Sequence, residues 1–326
     1  MPPDSDPIGP LLLSCPRVEP LPPPIATARD GAGTRHAAPM DQFTTRQLTA
    51  LGMTERQIRA AVDRGELVRT RRGHFARAGI GELAIAGARG GGALACVSEL
   101  RHRGIWVQDS GVVHIRVART ASRLPAIGPG IRRHWDALPL AGDDVHHVGL
   151  VSALIQAFGC LDHRAWIASA DSAAHLGLLH PEDLALLRAG LPRAGRLALY
   201  LLDRRAESGL ESIVRVIARE LGFRVRSQVV IRGVGRVDLV VEGWIVVETD
   251  GTAFHDQALS AKDRLRDARL VERGRSVLRP GYSLVIFDQA TVARQLIGAV
   301  AAHRRVANSG RIVARARRRA AALDFS

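Results

Sequence analysis

Residues 236–251 constrain the fold of this 326-residue chain more than any other stretch. Two apolar runs rich in β-branched residues, at positions 237–241 and 244–247, flank a turn signal at Glu242-Gly243. This pattern predicts a β-hairpin. Because the second run is apolar on both faces, it predicts a buried central strand of a larger sheet.

Three acidic residues, Asp238, Glu248 and Asp250, lie within this stretch. Carboxylates at the ends of buried strands are costly to desolvate unless they are paired or hold a cation. Oxygen ligands of this kind suit Mg²⁺ or Mn²⁺. We therefore predict a metal site at this position. The alternative is that the acids simply leave a strand for solvent.

The length of the turn decides whether the three acids meet. Glu248 and Asp250 share one face of their strand because side chains alternate. A two-residue turn places Asp238 on the opposite face. A three-residue loop pairs Val241 with Ile245 and puts Asp238 directly across from Glu248. The metal site therefore requires the longer loop, a bulge or strong twist.

Further motifs follow the hairpin in a fixed order: Glu248-Thr-Asp250-Gly251, Phe254-His255, Asp263-Arg264, and Gly274 followed by Val277-Leu278-Arg279. With Asp238, this order resembles the Vsr-like branch of the PD-(D/E)XK nuclease superfamily. More narrowly, it is similar to the family called domain of unknown function 559. The similarity covers about residues 208–303.

The resemblance implies Mg²⁺- or Mn²⁺-dependent hydrolysis of phosphodiester bonds. Asp238 and Glu248 would be the principal ligands, and Asp250 would be a further ligand or would orient water. The lysine that the superfamily usually carries two positions after the second acid is Asp250 here, which leaves the water-activating group unidentified. His255 and Lys262 are the candidates for proton transfer or phosphate contact.

Glu211 is the last candidate ligand. The sequence Ser208-x-x-Glu211 predicts a capping box that opens a helix. In the nucleases that the chain resembles, an acid on this first helix also approaches the metal. Glu211 is therefore predicted to cap the helix, and it is also a candidate metal ligand.

A second patterned region follows residue 40. A short helix ends at Gly52, and Thr54-x-x-Gln57 predicts a capping box that opens another. Residues 67–76 predict a hairpin with a basic tip, so the region reads as a winged helix. Its predicted nucleic-acid contacts are Arg56, Arg59, Arg69, Arg71 and Arg72. The alternatives are a solvated basic face and a surface for protein contacts.

The run Gly65-Glu-Leu-Val-Arg69 and the run Arg72-Gly-His-Phe-Ala76 carry a second resemblance. They are similar to the N-terminal domain of AbiEi-type antitoxins of type IV toxin–antitoxin systems. The resemblance implies transcriptional autoregulation by DNA binding, and it implies a toxin as partner protein.

The charge of the chain favours a polyanionic partner. It has 46 lysines and arginines against 32 acids, a net charge of +14, and Lys262 is the only lysine. Such a surface attracts nucleic acid, and we expect duplex DNA.

Cys15, Cys96 and Cys160 are widely spaced and form no CxxC pair. This predicts a reducing cytoplasm and argues against a disulfide framework and a zinc site. No apolar run reaches membrane-spanning length, so we expect no membrane partner.

These patterns predict an α/β multidomain protein. Its segments are a disordered extension at 1–39, a winged helix at 40–79, a mixed α/β spacer or interaction domain at 80–204, a restriction-endonuclease-like domain with a mixed central sheet flanked by helices at 205–305, and a basic tail at 306–326. We suspect Met40 to be the true start. The predicted function is Mg²⁺-dependent endonucleolytic cleavage of bound nucleic acid. The alternative is an AbiEi-like antitoxin and regulator with a nuclease-fold domain that does not cut.

Overall fold

A computed structural model of the protein describes residues 42–108, 111–122, 124–128, 130–136, 147–249, 261–305 and 310–322. The described chain forms three β-sheets accompanied by α-helices, which confirms the mixed α/β class. The predicted extension at 1–39 lies outside the described residues, so the expectation that it is disordered stays a prediction.

The N-terminal part has the element order of a winged helix. Its elements are β1 (Gln42–Thr44), α1 (Thr45–Ala50), α2 (Glu55–Asp63), β2 (Leu67–Arg71) and β3 (His74–Arg77). The strands form an antiparallel sheet in the order β1-β3-β2. Both helices begin with a capping box, at Thr44 with Gln47 and at Thr54 with Gln57, because each pair satisfies N–H groups that the first turn leaves unbonded.

The middle part contains a small sheet and a helical layer. Its elements are α3 (Glu82–Gly90), β4 (Ala93–Leu94), α4 (Cys96–His102), β5 (Val113–Ala118), β6 (Ile131–Asp136), α5 (Leu150–Phe158), α6 (His163–His175), α7 (Pro181–Gly190), α8 (Arg193–Ala198) and a 3₁₀ turn (Leu199–Leu201). The sheet order is β4-β5-β6, with β5 and β6 parallel. Pro181 begins α7, a position that suits proline because its missing N–H would have no helical partner there.

The C-terminal part is built around a four-stranded mixed sheet. Its elements are α9 (Gly209–Glu220), β7 (Val225–Ile231), β8 (Gly235–Val241), β9 (Ile245–Val247), α10 (Ala261–Glu272), β10 (Ser276–Leu278), α11 (Tyr282–Phe287), α12 (Gln289–Arg305) and α13 (Gly310–Ala322). The sheet order is β10-β9-β8-β7, and only the β9–β10 pair is parallel.

Helices cover both faces of this sheet. Side chains of α9, α11 and α12 pack on one face, and Leu270 of α10 packs with Val240 and Val246 on the other. The second hairpin strand, β9, is fully buried between its neighbours, as predicted. A mixed central sheet flanked by helices is thus observed, and its assignment to the restriction-endonuclease-like fold stays a prediction.

Helix α3 attaches the winged helix to the middle part. It packs against β2 on one side and against β4 and β5 on the other. Glycines permit this approach, because a Cβ at Gly90 would lie 2.6 Å from Cδ1 of Ile115 and one at Gly92 would lie 2.3 Å from the carbonyl oxygen of Arg116. Helix α3 was not predicted from the sequence.

Helices α6 and α9 pack together across the predicted boundary at 204/205. Ala168 of α6 belongs to the core under the C-terminal sheet, whereas Val216 of α9 belongs to the core of the middle part. Asp171 of α6 is fully buried and forms an ion pair with Arg215 of α9, with 2.6 Å between Oδ2 and Nη2. The boundary stays a prediction, but the two parts share apolar and ionic contacts.

Residues 310–322, within the predicted basic tail, form α13. Ala320 packs against the C-terminal core, and Nη1 of Arg319 donates a hydrogen bond to the carbonyl oxygen of Glu220 at 3.4 Å. The physical reason is composition, since alanine and arginine are among the strongest helix formers. Within the part of the chain that the structure describes, no helix has the length and apolar character needed to cross a membrane.

Candidate functional site

The basic surface of the winged helix centres on a groove between α2 and the β2–β3 hairpin. Arg59 of α2 and Arg69 of β2 both line this groove, and Ile58 and Phe75 line it from the core side. Both arginines are exposed. Two arginines from two different elements thus line one groove, together with the acidic residue Glu55 of α2.

The other predicted arginines differ in how accessible they are. Arg56 and Arg72 are exposed, but Arg71 is half-buried. Its Nη2 lies 3.4 Å from Nδ1 of His74, and burial lowers the pKa of the Arg71 guanidinium. The register of β2 against β3 is irregular between Arg69 and Arg71, which turns Arg71 toward the protein. Four of the five predicted arginines are thus available at the surface.

The hairpin that carries the acids has the three-residue loop on which the predicted metal site depends. Val241 pairs with Ile245, and the ladder continues through the pair of Leu239 and Val247. The next position of this antiparallel ladder sets Asp238 across from Glu248. The structure therefore adopts the register that allows these two acids to face the same side.

Left-handed backbone at the tip produces this loop. Glu242 and Gly243 have φ angles of 52° and 85°. Glycine tolerates this conformation, whereas glutamate adopts it at a cost. The Glu242 carboxylate accepts a hydrogen bond from the N–H of Arg224 at 2.7 Å, and the Trp244 ring stacks on His303 of α12. These contacts hold the strained residue in place.

Glu248 is held by two arginines. It is only 8% exposed; its Oε2 lies 2.7 Å from Nη2 of Arg279, and its Oε1 lies 2.7 Å from Nη1 of Arg266 without the alignment of a hydrogen bond. Arg279 also pairs with Asp267, and these two carboxylates raise the pKa of Arg279 above its ordinary value. In the described chain Glu248 thus belongs to an ion-pair network.

Asp238 and Glu211 lie near each other at the same end of the hairpin, and we refer to Glu211, Asp238 and Glu248 as the acidic cluster. Asp238 accepts a hydrogen bond from the N–H of Thr249 at 2.9 Å. Burial raises the pKa of Glu211, and repulsion from the Asp238 carboxylate raises it further. The Ser208 hydroxyl caps α9 as predicted. The Glu211 carboxylate, however, accepts the N–H of Glu207 instead of completing the predicted capping box with Ser208.

Gln228 is a member of this cluster that the sequence did not reveal. Its Nε2 donates a hydrogen bond to Oε2 of Glu211 at 2.7 Å, and its Oε1 is buried without a partner in the described chain. Its φ of 53° interrupts the pairing of β7 with β8 opposite Asp238. Strained residues of this kind concentrate at functional sites, but no sequence pattern marks this one.

The remaining predicted residues cannot be placed against this cluster. Asp250 and His255 lie outside the described residues, and Lys262 is placed only as part of α10. The roles predicted for these three residues stay predictions.

Residues 39–78 match the family described as "Transcriptional regulator, AbiEi antitoxin". The match covers the whole winged helix and ends at the last strand of its hairpin. No curated protein matches the chain. The family match therefore agrees with the resemblance of the N-terminal region. The resemblance of residues 208–303 to Vsr-like nucleases rests on the motifs alone.

The acidic cluster fits a divalent cation only in part. Glu211 and Asp238 offer carboxylate oxygens close to each other, but a cation at Glu248 would have to displace the Arg266 guanidinium. Among the described residues, no three acids of this cluster bring ligand atoms together closely enough for one ion. The group that does so contains Cys96 and Cys160. The wide spacing of the cysteines argued against a zinc site, but packing of α4 against α5 brings the two thiols together in the fold.

Proposed function

We propose that this protein is a DNA-binding transcriptional regulator whose winged helix holds duplex DNA in the groove between α2 and the β2–β3 hairpin. The observation that carries the proposal is the convergence of Arg59 and Arg69 on that groove. The family match of residues 39–78 supports it.

The groove suits the backbone of duplex DNA. In winged-helix proteins the helix before the hairpin enters the major groove and the hairpin follows the backbone. Arg59 and Arg69 would each contact a phosphate, and Arg56 and Arg72 would extend the contact along α2 and the hairpin tip. The net charge of +14 adds a long-range attraction that favours encounter with DNA. Such phosphate contacts fix position and give affinity that falls with salt.

Replacing Arg59 and Arg69 with alanine should weaken duplex binding at least tenfold at moderate salt. Each lost phosphate contact removes about 0.9 from the slope of log K against log[salt], so the slope should fall by about 1.8. Fluorescence anisotropy with a labelled duplex at four salt concentrations measures both quantities. Arg193→Ala with Arg204→Ala is the matched control, because it removes the same charge from exposed positions of the middle part. If the two double variants had equal slopes of log K against log[salt], the groove would not be part of the DNA interface.

Autoregulation is the regulatory role that the antitoxin description suggests. A duplex from the region upstream of the protein's own gene should then bind more tightly than a scrambled duplex of equal length. A toxin would be a second partner, and co-purification with the product of the neighbouring gene tests that part of the proposal.

A metal-dependent endonuclease is the second candidate function. The three-residue loop favours it, since it sets Asp238 across from Glu248 and next to Glu211. Glu211 and Asp238, together with Asp250, would hold the Mg²⁺ or Mn²⁺ ion, and Glu248 would join them on release from Arg266. The ion would lower the pKa of bound water and offset charge on the scissile phosphate. Gln228 would orient the Glu211 carboxylate.

Under this second candidate, Asp238→Asn should abolish Mg²⁺-dependent cleavage of plasmid and oligonucleotide duplexes. Asparagine keeps the acceptor for the Thr249 N–H, so the variant should remain folded while it loses a negatively charged ligand. Glu207→Gln is the control, because it neutralises an exposed acid that pairs with Arg236 near the same sheet. Equal cleavage by the wild type and Asp238→Asn would overturn the candidate site. Absence of cleavage by the wild type would favour the regulator with a non-cutting domain.

A further inference from the structure

Four metal-binding side chains from four different elements meet in the middle part. Cys96 begins α4, His114 lies in β5, His134 lies in β6, and Cys160 follows the end of α5. One ligand atom from each residue can be chosen so that all four lie within 4.8 Å of one another. Cys96 and His114 are buried, at 0% and 3% exposure, and the other two are half-buried. The cluster contains no residue of the winged helix and none of the acidic residues of the C-terminal sheet.

The pairing of β5 with β6 places the two histidines together. In this parallel pair, His114 lies opposite Arg132, and Arg116 lies opposite His134. The two histidines therefore project from the same face of the sheet, two positions apart along the strands. Nδ1 of His114 lies 3.0 Å from Nε2 of His134, and the rings are tilted by 35°.

Two of the distances between ligand atoms lie near the edges of a tetrahedron around zinc. Zinc binds histidine nitrogen at about 2.0–2.1 Å and cysteine sulfur at about 2.3 Å. Tetrahedral geometry then requires about 3.3–3.4 Å between two nitrogens and about 3.6 Å between sulfur and nitrogen. The observed distances are 3.0 Å between the histidine nitrogens and 3.9 Å between Sγ of Cys160 and Nε2 of His134. Small side-chain shifts would bring all four atoms onto one ion.

The backbone at Cys96 is strained in a way that a ligand would explain. Cys96 has a φ of 53°, which is costly for a residue with a Cβ. Its N–H donates a hydrogen bond to Oε1 of Gln156 in α5 at 3.0 Å, which holds this conformation. The fold thus maintains an unfavourable backbone angle at a residue whose thiol belongs to the cluster.

We propose that Cys96, His114, His134 and Cys160 bind one Zn²⁺ ion in a closed structural site. Two thiolates and two imidazoles select zinc over Mg²⁺ or Ca²⁺, which prefer oxygen. Four protein ligands leave no position for water or substrate, so the site is structural and not catalytic. A two-iron cluster does not fit, because its cysteine and histidine ligands bind different irons and would lie farther apart than 4.8 Å.

The ion would fasten the small sheet to the helices beside it. Its ligands join β5 and β6 to the start of α4 and the end of α5. The adjoining core includes Ala95, Val97 and Ala157, so metal and apolar packing would stabilise the same region. Strand β5 is also the strand on which α3 rests, and α3 carries the winged helix. Loss of the ion should therefore loosen the attachment of the DNA-binding part.

Metal analysis of the full-length protein tests the site directly. Protein purified with reductant should contain about one zinc per chain by mass spectrometry. Cys96→Ser and Cys160→Ser should reduce the content to background. Cys15→Ser is the matched control, since it removes the remaining cysteine, and it should keep its zinc. Wild-type protein that stays free of zinc after purification and after reconstitution would overturn the proposal.

Two measurements on the wild type keep the proposal testable if the cysteine variants fail to fold. Reconstitution with Co²⁺ should give the visible bands of tetrahedral cobalt and a thiolate-to-cobalt charge-transfer band, and a strong chelator should lower the melting temperature. A spectrum of octahedral cobalt would contradict the site. A disulfide between Cys96 and Cys160 is the other explanation for two thiols so close together. Counting the free thiols in denaturant, without reductant, distinguishes it from the metal site. Three free thiols per chain agree with the site, and one free thiol would mean a disulfide between Cys96 and Cys160.

Discussion

Arg215→Met should lower the free energy of unfolding by about 3–5 kcal/mol, the usual cost of removing one partner from a buried ion pair. The Asp171 carboxylate that remains is fully buried. It would keep hydrogen bonds from the Ser212 hydroxyl and the Asp203 N–H, both at 2.7 Å, but no cation. Urea unfolding followed by tryptophan fluorescence reports the loss, because Trp166 is buried in the same helix as Asp171.

The cost of this substitution should grow with pH. Burial raises the pKa of Asp171 above its ordinary value, although Arg215 opposes the shift. A carboxyl whose folded-state pKa is raised contributes stability below its unfolded pKa, and this contribution is lost as pH rises through the folded pKa. Without Arg215 the pKa should rise further. The deficit relative to the wild type should therefore be smaller at pH 5 than at pH 8.

Two further variants distinguish the effect of an unpaired buried carboxylate from a nonspecific loss of stability. Arg205→Met removes a 60% exposed arginine that pairs with Asp203 nearby, and it should cost less than about 1 kcal/mol. Adding Asp171→Leu to Arg215→Met should recover much of the loss, because no unpaired charge then remains. A single Arg215→Met variant as stable as Arg205→Met would mean that water reaches this pair.

Glu248→Ala should lower the free energy of unfolding by about 2–3 kcal/mol, less than for a fully buried pair because its partners reach water. The substitution leaves Arg279 and Arg266 facing each other without the carboxylate between them. Thermal melting in EDTA measures the loss. Glu207→Ala, which breaks a more exposed pair with Arg236, serves as the control and should cost less than about 1 kcal/mol.

The same experiment with Mg²⁺ and Mn²⁺ decides which role Glu248 has. If Glu248 is a metal ligand, we expect the opposite pattern. In EDTA, Glu248→Ala should be as stable as the wild type or more stable, because the substitution relieves repulsion among the acids. Mg²⁺ or Mn²⁺ should then stabilise the wild type by mass action but not Glu248→Ala. Indifference of the wild type to both metals, together with a destabilised variant, would assign Glu248 to the ion-pair network.

Short-range signals predicted much of the fold. The capping residue Thr54 and its partner Gln57 marked the start of α2, and Ser208 marked the start of α9. Such signals are readable because the interacting groups lie within one turn of each other. The buried β9 was equally clear, since a strand covered on both faces must be apolar throughout.

Features that depend on backbone strain or on distant partners were not predictable in this way. The loop at Glu242 could have been two or three residues long, and only its left-handed φ decided the register that places Asp238 opposite Glu248. The arginines that hold Glu248 come from α10 and from the residue after β10. Neither arginine lies close to Glu248 in the sequence, so no short-range signal links them to it.

The cluster of Cys96, His114, His134 and Cys160 shows the same limit more strongly. Zinc sites are usually recognised from pairs of ligands a few residues apart. Here each ligand stands alone in the sequence, and the parallel pairing of β5 with β6 brings the histidines together. Absence of a CxxC pair therefore does not prevent four single ligand residues from meeting in the fold.

The packing of α6 against α9 has a practical consequence for dissecting this protein. A fragment that begins at residue 205 would lack Ala168, which belongs to the C-terminal core, and the Asp171 partner of Arg215. The exposed face of α9 would favour aggregation, and a fragment without activity would then say nothing about the acidic cluster. Fragments that begin before His163 retain α6 and are the smallest in which cleavage can be judged fairly.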